Sequence, residues 1–295
     1  MLDVDTGIDD ALALLYAAAS PALDLCGVTT VVGNVPAGVA ARNSAAVLAH
    51  AGAHDVPVVT GAARTTSGAG PRTGPTNHGP DGLGGVPVPP VPETTGPETT
   101  GPETTGPETT GPETTGLGVA DVVEAAGAGG PVTLVGLAPM TNLTALAPLA
   151  DEVVVLGGEL AAGDPPELNA AHDPVATARL LAGDRSFTLY VIDVFERVSV
   201  RAEDVARLRS SNRPAARLAG ELLAVRRGRL IGDAGALVLL THPGLFRVEP
   251  RRIGLVGDRL TETPDGRWTD VVVDVDAAAA ATAYVDALLG PAVPL

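Results

Sequence analysis

Short β-branched runs alternate with Ala- and Leu-rich segments over most of this chain, and that alternation limits the fold more than any other feature of the sequence. The runs cover residues 25–32, 56–60, 132–137, 152–156 and 187–193, each followed by a Gly, Pro, Asn or Asp breaker. Between them, residues 9–19, 37–51, 117–126, 141–149 and 175–181 repeat apolar side chains at helical spacing. Alternating β and α units predict an α/β fold: an open, mainly parallel (mixed) sheet, Rossmann-like, with helices on both faces. A longer helix is expected over 202–227. Residues 248–276 read as strands or a hairpin around Thr263-Pro264-Asp265-Gly266, and 277–289 as a closing helix. Met1 and Leu2 leave almost no strand before the first acidic cluster, so the sequence leaves the true start open. No change of composition separates two cores, which predicts one domain over residues 1–295. Residues 92–116 interrupt it with PETTG repeated five times. That segment has too little apolar surface to offset its ordering entropy and reads as an extended, mobile insertion, with 86–91 belonging to it.

Aromatic residues make up only 2% of the chain, so a core must rest on Ala, Val and Leu. Asp and Glu outnumber the cations 35 to 19, giving a formal charge of −16, and every cation is Arg. Such a chain lacks the cationic surface that nucleic acid or an anionic membrane requires, and suits a metal cation better. Cys26 is the only cysteine, which excludes an intrachain disulfide framework and a Cys-rich zinc site; its apolar neighbours predict a small buried side chain. No leader-like start and no run of about 18 apolar residues is found, so a soluble cytoplasmic protein is expected.

Ligands of open α/β sheets bind outside the carboxyl ends of the strands. There the chain offers Asp3-Val4-Asp5-Thr6-Gly7-Ile8-Asp9-Asp10, then Gly33-Asn34, then Pro139-Met140-Thr141-Asn142, then Glu167-Leu168-Asn169. Four Asp within eight residues at a strand–helix junction is costly unless the charge is compensated. Asp9 and Asp10 fit the first turn of a helix, where the helix dipole favours anions. Asp3 and Asp5 have no such explanation. Oxygen-only ligands point to Ca²⁺ or Mg²⁺, and flexible carboxylate and carbonyl ligation favours Ca²⁺.

The stretch Asp3-Val4-Asp5-Thr6-Gly7-Ile8-Asp9-Asp10-Ala11 resembles the N-terminal signature of the inosine–uridine nucleoside hydrolases. The resemblance continues in order through Thr29-Thr30-Val31-Val32-Gly33-Asn34, Arg42-Asn43, His78-Gly79-Pro80-Asp81-Gly82-Leu83-Gly84, Leu137-Ala138-Pro139-Met140-Thr141-Asn142-Leu143 and Glu167-Leu168-Asn169-Ala170-Ala171-His172-Asp173-Pro174. It implies the nucleoside hydrolase architecture, a small-molecule ribonucleoside substrate and a homo-oligomer, dimer or tetramer. It also implies cleavage of the N-glycosidic bond to ribose and free base. Asp5, Asp10, the main-chain carbonyl of Leu137 and Asp233 would hold one Ca²⁺. Asp5 would be the general base for the metal-bound water. Asp9 and Asn34 would bind the ribose 2′-hydroxyl, Asn169 and Asp233 the 3′-hydroxyl, and Glu167 the 5′-hydroxyl. Asp3 would support the ligands from behind, and His78 would border the substrate.

The chain departs from the family pattern at Gly232, where a His usually precedes the Asp and protonates the departing base. Arg229 or His78 would then serve as the donor, or the leaving group would be a better one. The loop 160–166 lacks the family's Asn for the 5′-hydroxyl, with Asp164 as a substitute. Phe195 stands where Thr is common. Arg226, Arg227 and Arg229 form a cluster that reads as a solvated helix face, with a substrate contact as the second reading, and Trp268 reads as packing.

Two other readings remain at this point. Asp3-Val4-Asp5-Thr6 also resembles the nucleophile loop of a haloacid-dehalogenase-type phosphatase with Asp3 attacking; that chemistry usually adds a Lys, which the chain lacks. Gly232 and the insertion also fit a catalytically weakened nucleoside- or ribose-binding relative.

Overall fold

The computed structural model describes residues 1–74, 77–88, 118–161, 163 and 165–290. The PETTG repeat, Asp164 and residues 89–91 lie outside the described residues. The first half runs β1 (Leu2–Val4), α1 (Ile8–Ala19), β2 (Val28–Thr30), α2 (Ala37–His50), β3 (Val58–Thr60), α3 (Val119–Gly127), β4 (Thr133–Gly136), α4 (Leu143–Leu146) and β5 (Glu152–Leu156). The second runs α5 (Leu168–His172), α6 (Pro174–Ala182), β6 (Thr188–Tyr190), α7 (Ile192–Phe195), α8 (Ala202–Arg209), α9 (Pro214–Val225), α10 (Ala234–Thr241), β7 (Phe246–Val256), β8 (Arg259–Glu262), β9 (Arg267–Val275) and α11 (Ala277–Leu289).

All nine strands join one sheet in the order β3-β2-β1-β4-β5-β6-β9-β7-β8. The run from β3 to β9 is parallel, and β7 and β8 add an antiparallel edge. This is the mixed, mostly parallel α/β sheet that the alternation predicts. The chain leaves β1 toward β2 and β3, then returns to the other side of β1 with β4. The crevice between β1 and β4 is therefore the topological switch point, where open α/β sheets bind ligands.

The first strand forms despite its brevity. Leu2–Val4 is only three residues long, yet it pairs with β2 on one side and β4 on the other. Bonding on both flanks and complete burial hold a strand that is too short to show any period. The expected long helix over 202–227 is two helices. Ser211-Asn212-Arg213 breaks it, and Pro214 opens α9 at a position where its missing N–H costs nothing. The hairpin is also relocated. β7 and β8 are joined at Gly257-Asp258, whereas 263–266 carries the chain from β8 across β7 to β9.

The core is aliphatic, as the low aromatic content requires, and its largest enclosed side chains include Tyr16, Tyr190 and Tyr284. Tyr16 and Tyr284 stack with centroids 5.6 Å apart and tie α1 to α11. Cys26 is half-buried rather than fully enclosed. Trp268 is 62% exposed and packs under the Arg252 guanidinium of the neighbouring strand. Among the described residues no helix is long and apolar enough to cross a membrane.

Candidate active site

The carboxyl ends of β1, β2 and β4 frame a cavity of about 570 Å³. Asp5, Asp9, Asn34, His78, Leu137, Glu167, Asn169 and Asp233 all line it. Asp10 and Asp3 lie directly beneath, fully enclosed. These ten residues singled out from the sequence are therefore brought to one place, including Asp233, more than two hundred positions from Asp5.

The β1–α1 turn is organised by Asp10. Its carboxylate accepts the Asp5 N–H at 3.2 Å and the Gly7 N–H at 2.8 Å, so one side chain at the third helical position fixes the whole acidic loop. Asp5 in turn accepts the Asn34 N–H at 2.7 Å and the Asn34 Nδ2 at 3.0 Å. Gly33 is what lets this carboxylate approach: any Cβ there would run into it. On the opposite wall Glu167 caps α5, accepting the N–H groups of Asn169, Ala170 and Gly158. Asn169 Nδ2 donates to the Leu137 carbonyl at 3.0 Å.

Asp3 sits one layer below. It accepts Thr29 Oγ1 at 2.6 Å and Asn142 Nδ2 at 2.8 Å, while its second oxygen is buried with no hydrogen-bond partner among the described residues. Burial pushes its carboxyl up to about 7 from 3.8, against the pull of the Asn142 and Thr29 bonds, and the charge on Asp5 adds to the rise. The unfolded chain thus loses this proton before the folded one. The resulting stabilisation is complete below pH 3.8 and is lost as pH rises through about 7. In chelator, urea unfolding should show this group lowering stability by up to about 1.4 kcal/mol per pH unit through that window. Asp3→Asn should flatten the slope; identical slopes for variant and wild type would contradict the assignment.

The same crowding acts on the acids above. Burial, then the charge of Asp5, raises Asp10 well above the ordinary carboxylate range. Burial, then the charges of Asp10, Asp9 and Asp5, does the same to Asp233. Burial raises Glu167 as well, opposed by its three N–H donors.

Two arginines enter this acidic pocket: Arg72, which sequence reading missed, and Arg226, for which a substrate contact is the second reading. Arg72 reaches Asp5 at 2.7 Å, Asn34 Oδ1 at 2.8 Å, and Asn169 Oδ1 and the Leu168 carbonyl at 3.2 Å each. Its own N–H donates to the Gly33 carbonyl, so both ends of the residue are tied to the site. Arg226 is buried and donates from Nε to Asp9 Oδ1 at 2.5 Å. The expectation of a solvated 226–229 face therefore fails for Arg226. The chain kinks immediately after it, with Gly228 at φ 70° and Arg229 at φ 52°. The kink turns Arg226 inward, while Arg229 bonds the Val200 carbonyl outside the cavity. Arg229 is thereby removed as a donor to substrate. Phe195, Glu159 and Asp193 also line the cavity. Glu159 is ion-paired with Arg259, and Asp193 accepts the Leu160 and Ala161 N–H groups.

His78 is half-buried. Its Nδ1 accepts the Ile8 N–H at 3.0 Å, which fixes the imidazole against the start of α1. Burial lowers its proton affinity; Asp9 and Asp5 oppose that, and Arg226 and Arg72 reinforce it. Asn43 braces the same loop, donating to the Thr6 and Asp81 carbonyls.

The profile of the family described as inosine-uridine preferring nucleoside hydrolase matches residues 1–283, nearly the whole chain. The chain belongs to that family. It is an enzyme, and the bond it hydrolyses is the N-glycosidic bond of ribonucleosides. Among curated relatives of this nucleoside hydrolase, uridine nucleosidase 1 of Arabidopsis thaliana is 28% identical over 91% of this chain and 83% of its own length. The pyrimidine-specific ribonucleoside hydrolase RihA of Photobacterium profundum is 31% identical over 76% of this chain and 69% of its own. A solved plant nucleoside hydrolase shares the fold with a TM-score of 0.80, covering 98% of each chain at 22% identity.

Among the described residues no three acidic, His or Cys side chains stand together at metal-ligating spacing. Asp5 faces Arg72 and Asn34, and Asp10 faces backbone N–H groups. The donor chemistry nevertheless fits a hard cation. Asp5, Asp10, Asp233 and the Leu137 carbonyl are all oxygen donors, and mutual repulsion among the buried carboxylates is a demand for positive charge.

Proposed function

We propose that this nucleoside hydrolase works with one Ca²⁺ held by Asp5, Asp10, the Leu137 carbonyl and Asp233. Bound there, the cation would lower the pKa of a coordinated water and grip the ribose diol. The chain's own residues do the rest. Asp5, at the mouth of the β1–α1 turn, takes the proton from the attacking water. Asp9 and Asn34 orient the 2′-hydroxyl, Asn169 and Asp233 the 3′-hydroxyl, and Glu167 the 5′-hydroxyl. Positive charge develops on the sugar as the bond breaks, and the buried carboxylates stabilise it. Asp3 steadies the floor of the site through Thr29 and Asn142. The observation that supports this reading best is geometric: Asp233 lines the same cavity as Asp5, Asp9, Asn34, Glu167 and Asn169, although it lies more than two hundred positions from the first of them.

The single-domain reading is supported by the membership of all nine strands in one sheet. The phosphatase alternative is disfavoured by Asp3, the nucleophile it needs: that carboxylate lies enclosed beneath the cavity rather than lining it.

Cation binding can be read without turnover. A site occupied at one hundred times its Kd adds about 2.7 kcal/mol to stability. Thermal unfolding should therefore shift upward with Ca²⁺, and the shift should vanish in Asp233→Ala. A shift of equal size in both proteins would place the cation elsewhere.

A further inference from the structure

Breaking an N-glycosidic bond leaves the bonding electron pair on the base. The base needs either a proton or a nearby positive charge to carry it away. Gly232 supplies no side chain for this. Its φ of 57° and its contact with Asp9 also mean that no ordinary side chain fits there without displacing that carboxylate. Arg229 is turned away. His78 accepts the Ile8 N–H at Nδ1, which fixes its ring against the start of α1.

Arg226 is a fixed cation on the Asp9 side of the cavity. It is 8% exposed and lines the cavity wall. Its Nε bonds Asp9, and its Nη groups make no hydrogen bond to any described residue. In the proposed site Asp9 receives the 2′-hydroxyl, so a guanidinium bonded to Asp9 stands beside the neighbouring carbon, from which the base departs. A guanidinium does not give up its proton. It stabilises an anion by charge and by paired N–H donors matched to oxygen. That chemistry suits a base whose departing anion spreads onto a carbonyl oxygen next to the broken bond.

We infer that Arg226 is a catalytic residue that receives the departing base through a carbonyl oxygen next to the broken bond. Water attacks the anomeric carbon, and its proton passes to Asp5. The C–N electron pair leaves with the base as an N1 anion, bonded through its carbonyl oxygen to Arg226. The anion takes a proton from solvent after release, and Asp5 returns its proton to solvent. This inference rests on the ribonucleoside reading proposed above.

Uridine and 4-nitrophenyl riboside carry the same sugar but differ in the need of the leaving group for help. Arg226→Gln should lower kcat/KM for uridine about 100-fold, the scale of losing one donor to a developing anion. The loss on 4-nitrophenyl riboside should stay under about tenfold, because nitrophenolate is already a stable anion. Arg226→Lys keeps the charge and should recover part of the uridine-selective loss; it supplies the same ratio should the Gln variant fail to fold. Equal losses on both substrates would mean that Arg226 only holds Asp9 in place, and would overturn the inference. Wild-type cleavage of 4-nitrophenyl riboside without cleavage of uridine would also overturn it while leaving the hydrolase reading intact. Cleavage of neither would remove the reading on which it rests.

Discussion

Asp10→Ala should abolish measurable base release, with kcat/KM falling by about 10³-fold or more. Two losses combine at this position. The variant gives up a proposed cation ligand, and with it the electrostatic support for the developing transition state; losing a single such contribution costs about 10²–10³. It also removes the acceptor for the Asp5 and Gly7 N–H groups, so the loop that carries Asp5 and Asp9 loses its brace. Asp10→Asn separates the two effects. Its amide oxygen can still accept one backbone bond, but its charge is gone. It should keep more of the fold's stability than Asp10→Ala while losing nearly as much activity. Steady-state kinetics with thermal unfolding of both variants checks this. Activity within tenfold of wild type in either would rule out Asp10 as an essential ligand.

The second large effect is expected from a residue with no chemistry of its own. Gly33→Ala adds one methyl group against the Asp5 carboxylate. Gly33 is not among the glycines with positive φ, so an alanine can adopt its backbone conformation. The conflict falls on Asp5, which must turn away from the Asn34 N–H and from Arg72. Misplacing a general base costs about 10²–10⁴ in rate, whereas overpacking by one methyl costs only about 1–3 kcal/mol of stability. The variant should therefore fold, melt somewhat lower and lose most of its kcat. A kcat near wild type would show that Asp5 does not need its present position.

Most of the site was legible in the sequence because its residues come in local groups. Asp3, Asp5, Asp9 and Asp10 fall within a single strand–helix junction, and Glu167 and Asn169 flank the start of one short helix. Their roles, and the place of Asp233 among them, came from the resemblance to the family's motifs rather than from spacing. The sheet was legible because each β–α unit announces itself by period. Contacts that span long stretches of chain were not. Arg72 meets Asp5 across 67 positions, and Arg226 meets Asp9 across 217. Nothing local distinguishes Arg226 from Arg227 and Arg229. A signal did exist in Gly228, because a glycine directly after a helix marks a possible left-handed kink. Such a kink sends neighbouring arginines in different directions. The first strand was missed because three residues cannot display a period, and only pairing on both sides makes them a strand.

The two arginines also bear on the balance of charge in the cavity. Arg72 bonds groups from the β1, β2 and α5 ends of the site at once, all of them assigned to the ribose or to its water. It is the counter-charge for Asp5 in the present arrangement, as Arg226 is for Asp9. Removing one partner of a buried pair leaves the other charge uncompensated, at a cost of about 3–5 kcal/mol. In the proposed site Asp5 would exchange Arg72 for the cation, whereas Arg226 can keep its bond to Asp9.

Release of free ribose and base from a ribonucleoside, followed with and without a calcium chelator, tests the central claim most directly. The account predicts release by the wild-type protein that stops on chelation and returns when Ca²⁺ is restored. Release that continues unchanged in chelator would contradict a cation held by Asp5, Asp10 and Asp233.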